Sequence, residues 1–166
     1  MKRVNVVEGN PTRTSWLKSS LLVAFLMPVF LVSASHAQSP SRAERQLFDA
    51  ANQERRNQGL PALHWNDALA AAARNHALEM AKRGAVSHQF PGEANLPTRA
   101  RQAGVRFSSV AEDVDQGPNP RTIHQTLMAS PPHRANILDS DMDSAGIGAI
   151  ERNGQWFAVE DFSKSR

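Results

Sequence analysis

The 166-residue sequence contains no cysteine. This absence excludes disulfide bonds, a thiol nucleophile and a lipid-modified N-terminal cysteine, so an exported form of the chain must be stabilised by packing alone. The sequence also lacks a Gly-x-Ser-x-Gly motif, the nucleophile elbow of many serine hydrolases. Internal repeats and low-complexity segments are absent as well, which favours one ordinary globular domain.

The N-terminal region has the three parts of a secretory signal peptide. A basic leader precedes an apolar run at residues 21–33, and Ser35, His36 and Ala37 then offer a cleavage site of small residues. The run has 13 residues and contains Pro28, whereas a transmembrane helix needs about 20. We therefore predict that residues 1–37 are a signal peptide, that residues 38–166 are secreted or periplasmic, and that membrane contact occurs only through the signal segment.

The net charge of +3 belongs to this leader. The leader holds four of the 19 Lys and Arg residues and one of the 16 acidic residues, so residues 38–166 carry 15 of each. A balanced domain gives no electrostatic sign of a nucleic-acid partner. No motif for a nucleotide or an organic cofactor is present either.

Helical periodicity marks three segments of the remaining chain. The first runs from Arg42 to Asn57, with Glu44 and Arg55 on its polar side, and Gly59 is placed to end it. The second runs from an Asn66 or Asp67 cap to about Arg83, and its broad face of small residues lets another element approach closely. The third helix starts at Pro120 and reaches about Ala129.

Three strands are predicted after the second helix. Residues 105–110 form a short strand leading to Glu112, and residues 146–150 and 155–159 form a hairpin with an Asn-Gly turn. Pro131 and Pro132 should end the third helix and place His133 on a turn. The element order predicts an α+β fold, an antiparallel sheet covered by helices.

Two histidines and a glutamate follow predicted elements and are candidates for one site. His88, Glu112 and His133 would supply three zinc ligands and leave a fourth position for water. Without metal, the same residues could bind a polar ligand or transfer protons near neutral pH. The alternative is that both histidines only satisfy loop backbone groups. His76, on the apolar side of the second helix, is instead predicted to be a hydrogen-bonded core histidine.

From about Glu44 to Phe162 the sequence resembles the CAP superfamily (cysteine-rich secretory, antigen 5 and pathogenesis-related proteins), in its short bacterial SCP-domain form. The resemblance covers nearly all of the domain at residues 38–166 and implies an α-β-α sandwich with a small antiparallel sheet. The matching motifs, in the family's order, are Asn52 to Arg55, Leu63 to Trp65, His76 with Met80 and Ala81, Ser87-His88, Ala111-Glu112, Ser130 to Leu138, Gly146 to Gly148, and Trp156 with Asp161 and Phe162.

The resemblance also implies a cavity with two His and two Glu that in some members holds a divalent metal such as zinc, the metal expected here. Three of these fall on His88, Glu112 and His133, whereas the fourth position is Ser130 and offers no carboxylate. Ser130, Arg134 and Asn136 are therefore expected to support the cleft rather than to bind metal.

Three further positions depart from the family's pattern. They are Asp113 in place of the usual Asn, Pro132 in place of Gly and Glu160 in place of Gln. Glu160 is a carboxylate that the family does not normally have there, and it would reach the cavity if the strand register allows.

Three functions follow from these observations. The preferred one is an exported, non-enzymatic CAP/SCP domain whose His/Glu-lined cleft binds a small ligand around a divalent metal or without one. The resemblance suggests lipid-like, sterol-like or cell-envelope ligands. The alternatives are a metal-assisted hydrolase of an envelope polymer or peptide, with Glu112 or Glu160 as its base, and a purely structural or adhesion module.

Overall fold

The computed structural model describes residues 38–166, so the predicted signal peptide lies outside the described residues. Within this range no helix is both long enough and apolar enough to cross a membrane. The elements are, in chain order, α1 (Arg42–Asn57), β1 (His64–Trp65), α2 (Asp67–Arg83), α3 (Leu96–Gln102), β2 (Phe107–Gly117), α4 (Pro120–Ala129), α5 (Pro131–Ile137), β3 (Ser144–Arg152) and β4 (Gln155–Ser165).

The four strands form one sheet in the order β1-β3-β4-β2. β4 pairs antiparallel with both β3 and β2, as predicted. The sheet is nevertheless mixed, because His64 and Trp65 form the two-residue strand β1, which was not predicted and runs parallel to β3. The predicted α+β sandwich is confirmed, with α2 packed on one face of the sheet and α1 and α4 on the other.

Local sequence signals set the helix ends. Ser41 and Glu44 form a capping box at the start of α1, with each side chain bonding the other residue's backbone N–H. Asn66 caps α2 through its bond to Leu69 N. Gly59 and Gly84 follow the two helices with φ of 70° and 63°, the left-handed conformation that glycine adopts without strain.

The β3–β4 hairpin turns through Asn153 and Gly154. Their φ values of 54° and 75° are those of a two-residue type I′ turn, which matches the twist of the flanking strands. The hairpin predicted from the Asn-Gly pair is therefore confirmed, with longer strands than predicted.

Glycines on β3 let α2 lie directly against the sheet. A Cβ at Gly146 would lie 2.1 Å from Ala70 N, and one at Gly148 would lie 2.4 Å from the carbonyl carbon of Ala73. Ala70 and Ala73 are fully buried here. The close approach predicted from the small residues of α2 thus requires glycine on the facing strand as well.

Two predictions about β2 and the Pro-Pro segment need correction. Glu112 lies inside β2 rather than after its end, because the strand continues to Gly117. His133 lies on the helix α5 rather than on a turn. The two prolines end α4 as predicted, but they also begin α5, where a missing N–H costs no helical hydrogen bond.

Candidate functional site

The candidate site is built on β2, where neighbouring carboxylates face opposite sides of the sheet. Val114 packs with α2 residues, so Glu112, two positions earlier, faces the same side. Asp113 faces the other side, where Asn136 of α5 donates to it at 2.7 Å. Because β2 is an edge strand, the two sides are separated by a single strand at this point.

On the α2 side, His88 is tied to Glu112 and Glu112 to Arg99. The His88 Nδ1 lies 2.9 Å from Glu112 Oε1, while Arg99 forms an ion pair with Glu112 Oε2. Arg99 also donates to the backbone oxygens of His88 at 3.2 Å and Ala94 at 3.0 Å. The His88 side chain is 61% exposed, whereas Glu112 is buried. An accessible imidazole is therefore held by a buried carboxylate and a buried guanidinium.

His76 fixes the chain just before His88. It is fully buried, with Nδ1 lying 2.6 Å from Glu93 Oε1 and Nε2 lying 2.7 Å from the Ser87 backbone oxygen. The structure confirms the prediction of a hydrogen-bonded core histidine. The buried ring therefore faces a hydrogen-bond acceptor at each of its two nitrogens.

His133 lies on α5, whose Asn136 binds Asp113 on the other side of β2. Its Nδ1 is buried without a hydrogen-bond partner in the described structure, and no hydrogen bond joins His133 to His88 or Glu112. Ser130 precedes α5 without a side-chain capping bond, and Arg134 is exposed. Of the three predicted supporting residues, Asn136 alone makes a hydrogen bond to the carboxylates of β2.

The donors as placed do not fit a three-ligand zinc site. Within residues 38–166, no three His, Cys, Asp or Glu side chains are arranged to hold a metal ion. Each oxygen of Glu112 already has a partner, and one partner is the positive Arg99 guanidinium, which opposes a second cation at that carboxylate. Glu112 is therefore suited to orient His88 rather than to bind metal itself.

Two more buried acids lie on β4, opposite the acids of β2. Glu112 lies opposite Asp161, and Asp113 lies opposite Glu160, so each pair shares one side of the sheet. Glu160 and Asp161 are fully buried, and the Glu160 carboxyl has no hydrogen-bond partner in the described part of the chain. Glu160 does point inward, as the predicted catalytic base would have to, but it faces away from Glu112.

Burial is the main cause of raised pKa values in these acids. It raises the pKa of Asp113 to about 7, although the hydrogen bond from Asn136 opposes the change. Burial, followed by the charge of Asp113, raises the pKa of Glu160 to about 8. Burial, followed by the charge of Glu112, also raises the pKa of Asp161. Carboxyls of this kind keep a proton at pH values where ordinary carboxyls have lost it.

Arg99 and Asp161 were not predicted as members of this cluster. Arg99 lies on the short helix α3, and nothing in its local sequence pattern distinguishes it from a surface arginine. Asp161 did carry a signal, because two acids lie between the apolar residues Val159 and Phe162 on one strand. A strand with both faces covered buries acids at both positions.

The hydrogen bond to Glu112 should fix the tautomer of His88. Donation from Nδ1 leaves Nε2 as the unprotonated acceptor directed away from Glu112. We expect ¹⁵N NMR at about pH 8.5, where an ordinary imidazole is neutral, to show His88 with a protonated Nδ1. Glu112→Gln should weaken the preference of His88 for the Nδ1–H tautomer. The exposed His64 should show no preference for that tautomer in either protein. An Nε2–H tautomer for His88 in the unsubstituted protein would contradict the assignment.

The sequence motifs and this fold agree with a known family. A family model described as "CAP: Cysteine-rich secretory protein family" matches residues 48–162. The chain belongs to this family. The match includes Glu112 and His133 and ends at the buried Phe162 of β4, so the CAP domain accounts for the whole sheet except the last residues of that strand.

A bacterial protein is similar to this chain over most of its length. The uncharacterized protein YkwD of Bacillus subtilis is 26% identical over 125 residues, covering 75% of this chain and 49% of YkwD. This CAP chain thus spans about half the length of that curated relative.

Solved structures show the same fold. An extracellular protein containing an SCP domain, from Bacillus anthracis, has a TM-score of 0.69 at 25% identity, covering 74% of this chain and 40% of that one. An outer surface protein from Borrelia burgdorferi also has a TM-score of 0.69, at 18% identity, covering 75% of this chain and 93% of that protein.

Proposed function

We propose that this CAP domain is an exported binding protein that takes a small polar ligand at His88, without catalysing its conversion. The observation that carries the proposal is the anchored and accessible imidazole: 61% exposed, yet bonded through Nδ1 to a buried Glu112. The buried Glu112–Arg99 ion pair holds this exposed ring in one orientation, which reduces the ordering cost when a ligand binds.

The electrostatics of the site favour binding at one ring nitrogen. Arg99 neutralises Glu112 inside the protein, while Nδ1 is used by Glu112. Nε2 of His88 then remains to accept a hydrogen bond from the ligand or, in a protonated ring, to donate one. A carboxylate behind the ring supports either state and fixes the ring's direction.

Catalysis has less support from the geometry. A hydrolase needs a base beside the group that binds substrate. Glu160, the predicted spare base, lies on β4, faces the opposite side of the sheet from Glu112 and is fully buried. Glu112 is engaged by two partners. We therefore place ligand binding ahead of metal-assisted hydrolysis and of a purely structural role.

Export is part of the proposal. The predicted signal peptide at residues 1–37 is its main support. The Bacillus anthracis and Borrelia burgdorferi relatives are described as an extracellular and an outer surface protein.

A divalent metal at His88 and His133 is tested by calorimetric titration of the protein with Zn²⁺ at neutral pH. The proposed metal-independent binding predicts no saturable one-to-one uptake. Saturable uptake that is lost in both His88→Ala and His133→Ala would show that the two imidazoles move together around a metal. The His64→Ala variant controls for adventitious uptake by an exposed histidine.

The binding role itself is tested by titrating the protein with small polar fragments that can hydrogen-bond to an imidazole, with NMR detection of the protein. Small carboxylates, phosphates and acetylated amino sugars are titrated separately while the His88 ring signals are followed. A saturable shift that is abolished in Glu112→Gln would support the proposal. A His88 ring that responds to none of these fragments would favour the structural role.

A further inference from the structure

We infer that the α2–α3 face carries a second binding site, a polar groove that takes a short, extended, peptide-like chain. The groove has a volume of about 610 Å³ and lies between α2, α3 and residues 91–94. Neither His88, Glu112 nor His133 lines it, so this site does not rest on the function proposed above. Its volume is within the range of pockets that hold small ligands.

The groove combines a small apolar surface with polar groups of both kinds. The apolar part is formed by Ala71, Ala72, Ala94 and Ala103, whose methyl groups leave room for a backbone to approach closely. Amide and charged side chains complete the lining, among them Asn75, Gln102, Glu79 and Arg83. The lining therefore offers both hydrogen-bond donors and acceptors beside small apolar side chains.

This lining selects the chemical class of the occupant. Arg83 Nε donates to Glu79 Oε1 at 2.7 Å, so these two charges satisfy each other. An alkyl chain or a sterol would still bury the amide groups of Asn75 and Gln102 without giving them hydrogen bonds, at a cost of the order of 1–3 kcal/mol for each group. An extended peptide instead offers one N–H and one C=O per residue, with successive residues about 3.3 Å apart. Small side chains would fit against the alanines, so we infer a peptide rich in small residues.

Arg99 gives independent support, because it lines the groove and is incompletely paired. It is 8% exposed, and its two terminal nitrogens donate to protein oxygens. Its Nε is buried and has no hydrogen-bond partner among the described residues. Buried guanidinium donors are ordinarily paired. A carbonyl oxygen of a bound chain, admitted by a small shift of the groove wall, would supply the missing acceptor.

The test is an NMR titration of the ¹⁵N-labelled protein with N-acetyl-trialanine amide, a neutral peptide with small side chains. The matched variants are Ala71→Trp, which fills the groove from an exposed position of α2, and Leu78→Trp, which adds similar bulk at an exposed position of the same helix outside the groove. We expect saturable shifts of the Ala72, Ala94 and Ala103 amides. The affinity should fall at least tenfold in Ala71→Trp and stay unchanged in Leu78→Trp.

Several results would overturn the inference. One is the absence of saturation at about 10 mM peptide, above the millimolar Kd of weak specific ligands. Another is equal binding by the Ala71→Trp variant, provided that its spectrum shows the native fold. A third is tighter binding of decanoate than of the peptide at the same amides. The His88→Ala variant should bind the peptide normally, so a failure of the His88 proposal and a failure of this one give different results.

Discussion

Replacing Gly146 by alanine is expected to destabilise the protein by about 3 kcal/mol or more, the upper end of the overpacking range. The added Cβ would lie 2.1 Å from Ala70 N and 2.4 Å from the carbonyl carbon of Leu69. Both neighbours are backbone atoms of α2, so no side-chain rotation relieves the clash. The helix must move away from β3 and lose packing along its buried alanines.

Urea unfolding followed by circular dichroism measures this effect, with Gly117→Ala as the matched control. Gly117 also lies in a strand, but the nearest atom to its added Cβ would be a side-chain atom, Ile123 Cγ1, at 3.1 Å, and the nearest backbone atom would be Ile123 N at 3.8 Å. We expect the control to lose at most about 1 kcal/mol, since a side chain can adjust by a few tenths of an ångström. Equal losses in the two variants would show that α2 is not held as closely as the structure places it.

The contact between α2 and β3 illustrates what the sequence could predict. Alanines recur along one side of α2, so the helix and its close approach follow from periodicity and side-chain size. The glycines of β3 could be recognised as strand residues, but their pairing with α2 is a property of the packed fold. The caps and the Asn-Gly turn were predictable for a similar reason, because their signals lie within a few residues.

Buried charges were the least predictable part of the fold. Arg55 was placed on the polar side of α1, yet it is fully buried and donates to the backbone oxygens of Pro61, Ile137, Asp139 and Met142. Three of these acceptors lie more than 80 residues away. A helical pattern reports only which positions are charged. It contains no information about distant carbonyls that can receive such a charge.

The candidate site was predictable as a set of residues but not as an arrangement. His88 and Glu112 are paired by the structure, whereas the metal arrangement with His133 stays a prediction for the titration to test. The missing information was the register of β2, since a shift of one residue along the strand moves each side chain to the other side of the sheet. The short helix after the two prolines also changed the position of His133 relative to β2.

The buried acid of β4 gives the second large expected effect. Glu160→Gln should stabilise the protein at about pH 8 by a few kcal/mol, because it removes a carboxyl that is fully buried without a hydrogen-bond partner among the described residues. Glutamine has nearly the same shape and carries no charge. It can also donate a hydrogen bond toward Asp113, which lies opposite on β2.

The sign of the pH dependence follows from the raised pKa of Glu160. Burial and the nearby Asp113 raise this pKa from the ordinary 4.5 to about 8. Below pH 4.5 the carboxyl is protonated in both the folded and the unfolded protein, so its contribution to stability is fully present. As the pH rises from 4.5 toward 8, only the folded protein keeps the proton. Stability is then lost at up to about 1.4 kcal/mol for each pH unit.

Urea unfolding at about pH 5 and pH 8 therefore separates the variant from the unsubstituted protein. The Glu160→Gln advantage should be small at the lower pH and large at the higher one. Some loss of stability should remain in the variant below pH 7, because the pKa of Asp113 is raised to about 7. Glu151→Gln, an exposed change on β3, should leave the pH profile unaltered. Parallel profiles for the Glu160→Gln variant and the unsubstituted protein would mean that Glu160 titrates as an ordinary carboxyl, and thus that water or a cation reaches it.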